Sequence, residues 1–156
     1  MPWSRVSVVI DAKMQRRCLD KYPGHKNGCP NYGRKAGCPP GVELIDSVLD
    51  VSDRVFAVWN AFDIGTHADR MWSLHPEWSE RQAFCCLYWQ RGARKKLRAE
   101  LLKFLQSQIL PRPRRIIDCP EAMGVDVTAT MRSAGVELEW PPRKIAYQVY
   151  LVGVPK

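Results

Sequence analysis

The sequence lacks the short motifs that identify most nucleotide-binding and hydrolytic enzymes. It contains no phosphate-cradling P-loop, no Rossmann glycine fingerprint, no nucleophile elbow and no zincin motif. Its cysteines form no C-x-x-C pair of the kind found in common zinc ribbons. Histidine occurs only 3 times. Local motifs therefore assign no enzyme class, and whether the protein is an enzyme stays open.

Long apolar runs are also missing. The longest strongly apolar stretch, residues 54–62, is far shorter than the ~20 residues that a membrane-spanning helix needs. The first residues show no basic segment followed by a long apolar core and a cleavage site. We therefore expect a cytosolic protein without a membrane span. In that compartment the 6 cysteines are expected to be thiols or metal ligands rather than disulfides.

The length and the hydrophobic pattern predict a single domain over residues 1–156. We expect an α/β fold of the α+β type, a sandwich of a small mixed sheet with helices and a Cys/Gly/Pro-rich loop. Residues 63–75 are predicted to be a mobile loop, and Pro111 is expected to end the longest helix. The predicted strands cover 6–10, 54–62, 137–140 and 146–154, and the predicted helices cover 42–49, 77–109 and 121–134, with Gly135 as the last cap.

Residues 18–41 form the Cys-rich loop, in which nearly half of the residues are Cys, Gly or Pro. Such a sequence cannot hold a regular helix or a central strand, and unanchored loops of this length are uncommon in compact domains. Cys18, Cys29 and Cys38 are spread along it and are our candidate metal ligands. Nearby basic residues are expected to lower the pKa of these thiols: Lys21, Lys26, Arg34 and Lys35.

Two segments resemble a known family, the predicted metal-binding proteins called domain of unknown function 2284. One is Cys29-Pro-Asn-Tyr-Gly33 with Cys38-Pro-Pro40 and the upstream Cys18; the other is Glu121-Ala-Met-Gly-Val-Asp-Val127. The resemblance implies a cysteine-ligated iron–sulfur cluster. The family's second cysteine group is replaced here by residues 109–119, which hold a single cysteine. The chain therefore looks like a trimmed version of the family with one site.

A tetrahedral zinc or [4Fe–4S] site needs a fourth ligand. Cys119 is our candidate because it precedes Pro120 at an expected helix start, where the helix dipole favours a thiolate. His25 is the alternative ligand. Cys85 and Cys86 are expected to be core-facing residues, because adjacent positions of a helix point in different directions. We keep both an iron–sulfur cluster and zinc as candidate cofactors, with redox or group-transfer chemistry on an unknown substrate.

The strongly basic balance indicates a second function class. With 24 Lys and Arg against 16 Asp and Glu, the net charge is +8, which favours a nucleic acid or another anionic partner. In this alternative the protein is a nucleic-acid- or protein-binding module with a purely structural zinc. Trp72, Trp78 and Trp89 could stack on bases. The basic residues expected to contact the partner are Arg91, Arg94, Lys95, Lys96, Arg98, Arg112, Arg114 and Arg115.

Overall fold

The computed structural model describes residues 1–109 and 112–156. Their fold is mixed α and β, built on a four-stranded sheet in the order β1-β2-β4-β3. All three strand pairings are antiparallel, so the expected mixed sheet was wrong. The sheet neighbours β1 and β2 are consecutive strands of the chain, and so are β3 and β4. The strands are β1 Trp3–Val6, β2 Val55–Asp63, β3 Arg115–Ile117 and β4 Ile145–Gly153.

Helices and short 3₁₀ helices cover the sheet. The α-helices are α1 Ile45–Val48, α2 Ile64–Leu74, α3 Glu80–Ala83, α4 Gln90–Ser107 and α5 Val127–Arg132. The 3₁₀ helices are Ala12–Leu19, Cys86–Tyr88 and Pro120–Met123. In the described part of the chain no helix is long and apolar enough to cross a membrane.

The two faces of the sheet carry separate cores. Successive residues of a strand point to opposite faces, so Val58 faces one core while Ala57 faces the other. The buried side chains of α4 pack on Val58. They include Leu97 and Phe104, and Phe104 is fully buried. The buried side-chain amide of Asn60 also donates to the carbonyl of Ala93 in α4, at 3.3 Å. Helix α4 is thereby fixed against β2 by both apolar packing and a hydrogen bond.

The second core joins the sheet to the segments that carry the cysteines. Ile45 and Leu49 pack with Met131 of α5 on this face, and all three are fully buried. Val125, directly before α5, belongs to the same core. The Cys-rich loop ends just before Ile45, so this core holds the far end of the loop in place.

Strands β2 and β4 confirm the predicted strands 54–62 and 146–154. The first predicted strand, 6–10, was displaced, because β1 covers Trp3–Val6 instead. Residues 7–10 do not pair with the sheet: the amide of Ser7 donates to the Ser133 hydroxyl at 2.9 Å, and that of Val9 to the Thr130 hydroxyl at 3.0 Å. The predicted strand 137–140 was wrong, because Glu139 accepts backbone hydrogen bonds from residues 143 and 144 in a turn. The three-residue strand β3 was not predicted.

The helix predictions failed mainly at the helix ends. Residues 63–75 contain α2 rather than a mobile loop, because the Asp63 carboxylate accepts from the amide of Thr66 at 2.8 Å and caps the helix. The predicted helix 42–49 is reduced to the single turn α1. The predicted end at Pro111 lies outside the described residues.

The predicted helix 77–109 is broken before α4. A capping box between Ser79 and Gln82 starts α3, which ends after one turn. The amide of Cys86 then donates to the carbonyl of Pro23, at 3.1 Å, instead of continuing the helix. A hydrogen bond to the Cys-rich loop therefore replaces a bond within the helix.

The predicted helix 121–134 is split at Gly124, which is left-handed with a φ of 78°. The Pro120–Met123 turn ends there, and Asp126 caps α5 by accepting from the amide of Ala129 at 2.9 Å. Gly135 also takes a positive φ, of 73°, just after the last turn, as predicted for a cap.

Replacing Asp126 with alanine should lower the free energy of unfolding by about 1 kcal/mol, because the first amides of α5 lose their acceptor. Asp69→Ala is the matched control, since Asp69 is exposed within α2 and caps no helix. Chemical denaturation of both variants measures the difference. Equal stabilities would show that the cap contributes nothing.

Candidate metal centre

The 3₁₀ helix Ala12–Leu19 leads the chain into the candidate site and carries Cys18 in its last turn. The Asp11 carboxylate starts this helix by accepting from the amide of Lys13, at 2.9 Å. One side chain in its middle reaches two other segments. The Gln15 amide nitrogen donates to the carbonyl of Val42 at 3.2 Å and to that of Ala122 at 3.0 Å. Gln15 thus ties the end of the Cys-rich loop to the turn that follows Cys119.

Backbone contacts hold the same two regions of the chain together. The amide of Asp11 donates to the carbonyl of Gly124 at 2.7 Å, and the amide of Asp126 donates to Val9 at 2.9 Å. A Cβ added at Gly124 would lie 2.6 Å from the Leu44 side chain. Only glycine fits this left-handed, crowded position. The segment that leads into Cys18 and the family-like segment Glu121–Val127 are therefore neighbours in space.

Within the Cys-rich loop, the backbone brings two of the candidate ligands side by side. The amide of Cys29 donates to the carbonyl of Cys18 at 2.7 Å. Gly28 makes this approach feasible, because it has a φ of 83° and an added Cβ would lie 2.8 Å from the Cys18 carbonyl oxygen. Farther along, the amide of Cys38 donates to Lys35 at 2.9 Å.

The electrostatics place the four candidate thiols in one neighbourhood. Burial raises the pKa of Cys18 most, and the nearby thiols of Cys29 and Cys38 raise it further. Burial also raises the pKa of Cys119 to about 12, with added contributions from Glu121, Asp118 and Cys18. Although Cys119 as a residue is exposed, protein atoms still desolvate its sulfur. Cys18 is thus within electrostatic range of the other three thiols.

The expected lowering of the thiol pKa values was wrong for Cys18 and Cys119. The basic residues of the loop are not among the groups that act on Cys18. At Cys119 the following turn spans only Pro120–Met123, and burial outweighs any dipole at its start. Desolvation and mutual repulsion therefore disfavour thiolates here in the absence of a cation.

The donor types suit a soft metal, although the thiols do not adopt a ligand arrangement. Over residues 1–109 and 112–156, no group of three or more His, Cys, Asp or Glu is placed to hold a metal ion. Cys18, Cys29 and Cys38 are half-buried in or beside one loop. Clustered thiols are the ligands that zinc and iron–sulfur clusters select. His25, the alternative ligand, makes an edge contact with the Tyr22 ring, with 5.1 Å between ring centroids.

Cys85 and Cys86 lie at the break before α4 rather than within a helix. Both sulfur atoms face Gly24 of the Cys-rich loop: a Cβ on Gly24 would be 2.5 Å from the Cys86 sulfur and 3.4 Å from the Cys85 sulfur. The argument that adjacent helical residues cannot face one site was therefore wrong, because its helix is absent. The adjacency of Cys85 and Cys86 was the only feature of the sequence that indicated a pair of neighbouring thiols.

The basic residues divide into two groups. Those of α4 are all exposed, and Arg91, Arg94, Lys95 and Arg98 share one helix face by their spacing. None of them, nor Lys96, forms an ion pair within the described residues. The second group is already engaged in part. Arg112 pairs with Asp53 at 3.2 Å, and Arg114 donates to the carbonyl of Arg54 at 3.3 Å.

Aromatic side chains stack on one another in the segments that precede α4. Trp89 stacks on Phe62, with 4.9 Å between the ring centroids and 6° between the planes. Trp78 stacks between His75 and Tyr88. Trp72 instead contacts Phe84 and donates to the Trp78 carbonyl at 3.0 Å, which is a structural role.

The chain matches no protein-family model, no curated protein and no solved structure.

Gly28→Ala should destabilise the Cys-rich loop more than Gly33→Ala. Both glycines have positive φ values, 83° and 68°, so each substitution carries backbone strain of roughly 1–3 kcal/mol. Only the Gly28 variant adds a clash with the Cys18 carbonyl, since no atom lies within 4 Å of a Cβ on Gly33. Chemical denaturation and limited proteolysis compare the two variants. If they lose the same stability, the Cys18–Cys29 approach is not tightly constrained.

Proposed function

We propose that this chain is a small metalloprotein of the reducing cytosol, in which Cys18, Cys29, Cys38 and Cys119 hold one [4Fe–4S] cluster or one zinc ion. The observation that carries the proposal is geometric: the amide of Cys29 donates to the carbonyl of Cys18 at 2.7 Å, and Gln15, in the 3₁₀ helix that carries Cys18, donates to the carbonyl of Ala122 at 3.0 Å, in the turn that follows Cys119. Resemblance to the family called domain of unknown function 2284 points to Cys18, Cys29 and Cys38 as ligands, whereas Cys119 is proposed from its place before Pro120.

The energetics of these thiols define the cost that a bound cation would have to offset. Desolvation and neighbouring thiols raise the pKa of Cys18, so thiolates at this place are unfavourable by themselves. A metal reverses that balance, because it holds its cysteine ligands as thiolates even at neutral pH. An iron–sulfur cluster would supply one-electron chemistry. Zinc with all four cysteines bound would hold the loop, and only a zinc ion with three cysteine ligands would have an open position for Lewis-acid chemistry.

Cys119 supports the proposal through chain topology. With this ligand, the metal would join the Cys-rich loop to the Pro120–Met123 turn, which Gln15 already fixes beside Ala12–Leu19. Closing a loop of that length by one crosslink restricts the unfolded chain more than crosslinks within the Cys-rich loop alone. Cys119 would thereby contribute to stability as well as to metal affinity.

Purified protein should contain about four irons, with a brown colour, or about one zinc per chain. Cys18→Ala, Cys29→Ala and Cys38→Ala should each lose the metal and much stability, because structural metal binding contributes ~10 kcal/mol or more. Elemental analysis and thermal unfolding measure both effects. Cys85→Ala and Cys86→Ala are the controls and should keep the metal. Metal-free wild-type protein from anaerobic preparation would contradict the proposal.

Cys119→Ser should leave a three-ligand site that loses its metal to a chelator faster than the wild type does. Secondary structure should survive, because no described hydrogen bond of the sheet involves Cys119. Stopped-flow chelation gives the rate, and circular dichroism gives the fold. His25→Ala is the matched comparison for the alternative ligand. Should His25→Ala accelerate metal loss while Cys119→Ser does not, the fourth ligand is His25.

A second candidate function rests on the unpaired basic face of α4. Exposed arginines and lysines without carboxylate partners bind phosphates readily. Tyr88 and Trp89 line a hollow with Lys96 and provide aromatic rings for bases. In this candidate the protein binds a nucleic acid, and zinc at the four cysteines only stabilises the fold.

If the second candidate holds, affinity for single-stranded DNA or RNA should fall steeply between 50 and 200 mM salt. Replacing Arg91, Lys95 and Arg98 by glutamine should flatten this dependence by up to about three charge equivalents. The control replaces the exposed Arg5, Lys13 and Arg16 by glutamine, which removes the same charge outside α4. Fluorescence anisotropy measures binding. Equal slopes for both triple variants would assign the effect to net charge alone.

A further inference from the structure

The vicinal cysteines Cys85 and Cys86 form a thiol pair that the proposed metal centre does not use. Their sulfur atoms approach the same point, the position where a side chain on Gly24 would begin, at 3.4 Å and 2.5 Å respectively. The backbone is extended at Cys85, with a ψ of 121°, and turns into the 3₁₀ helix at Cys86. This change of conformation lets two adjacent residues present their sulfurs to one segment.

The Cys-rich loop is fixed above this pair. The amide of Cys86 donates to the carbonyl of Pro23 at 3.1 Å, so the loop and the pair share a backbone hydrogen bond. Gly24 has a φ of 106° and no side chain, and any larger residue would collide with the Cys86 sulfur. The position thus keeps both sulfur atoms free of an intervening side chain.

We propose that Cys85 and Cys86 bind one soft monovalent cation of the Cu(I) type through both sulfur atoms, at a site separate from the four-cysteine centre. Thiolates are the ligands that select Cu(I) over harder cations, and two of them suffice for a two-coordinate ion. In the binding step two S–H bonds are lost and two Cu–S bonds form. Two protons leave, the oxidation state of copper is unchanged, and the site gains a net charge of minus one.

The surroundings of Cys85 and Cys86 fit a Cu(I) ion bound by two thiolates. Burial and the neighbouring Cys85 thiol raise the pKa of Cys86, and Arg94 of α4 opposes that shift in part. Cys86 is buried, with 4% of its surface exposed, whereas Cys85 is half-buried and gives access from solvent. A buried ion next to a compensating arginine is protected from exchange with small ligands in solution.

Anaerobic titration of the protein as purified, with its zinc or iron bound, tests the site. Cu(I) is added in competition with a chromogenic Cu(I) chelator, and the wild type is compared with the Cys85→Ser/Cys86→Ser double variant. The wild type should retain one more equivalent of Cu(I) than the double variant does. Cys85→Ser alone should weaken that equivalent by more than ~100-fold, since even the loss of an outer-shell partner costs 10–100-fold.

Cys85→Ser also separates ligand loss from core damage, because Cys85 is not fully buried. Cys119→Ser is the control that alters the four-cysteine centre and leaves the pair intact. Equal Cu(I) retention by the wild type and the double variant would overturn this proposal. Zinc or iron content is measured separately, so failure of the four-cysteine centre is recognised independently of this result.

Discussion

The pairing of β2 with β4 is the constraint on which the rest of the structure depends. Eight residue pairs join these central strands, from Phe56–Val152 to Asp63–Ile145, and both faces of the ladder are buried. Helix α4 covers one face, and it starts directly after the Cys85–Cys86 break. The opposite face supports α1, which follows the Cys-rich loop, and α5, which follows the Pro120–Met123 turn. Every candidate site is therefore positioned from this ladder.

The parts of the fold that the sequence predicted are those governed by local pattern. Strands β2 and β4 were visible as apolar, β-branched runs, and α4 as leucines at helical spacing, including Leu97 and Leu101. The capping box at Ser79 was equally local and could have divided the long helix correctly. Four cysteines were identified as one candidate set, and their role stays a prediction, because no three of them are placed as ligands of one ion over residues 1–109 and 112–156.

The features that escaped prediction depend on contacts between distant residues. Residues 7–10 look like a strand, yet their amides bond to Thr130 and Ser133, more than 120 positions away. The helix breaks at Cys86 because its amide bonds to Pro23, and no local propensity encodes that partner. The prediction of lowered thiol pKa values failed for the same reason. Nearby lysines in the sequence indicated lowered values, but burial dominates, and only the folded chain defines burial.

The hydrogen bonds of the Cys-rich loop are mostly short in range, such as Tyr22 with His25 and Cys38 with Lys35. None of the described bonds of this loop joins it to a strand of the sheet. Among the described backbone hydrogen bonds, that of Cys86 to Pro23 alone joins the loop to a distant segment, so we expect the loop to open before the ladder does. Such a division of the molecule would let an inserting or transferring protein reach the thiols of an already folded chain, so that maturation of the centre need not accompany synthesis.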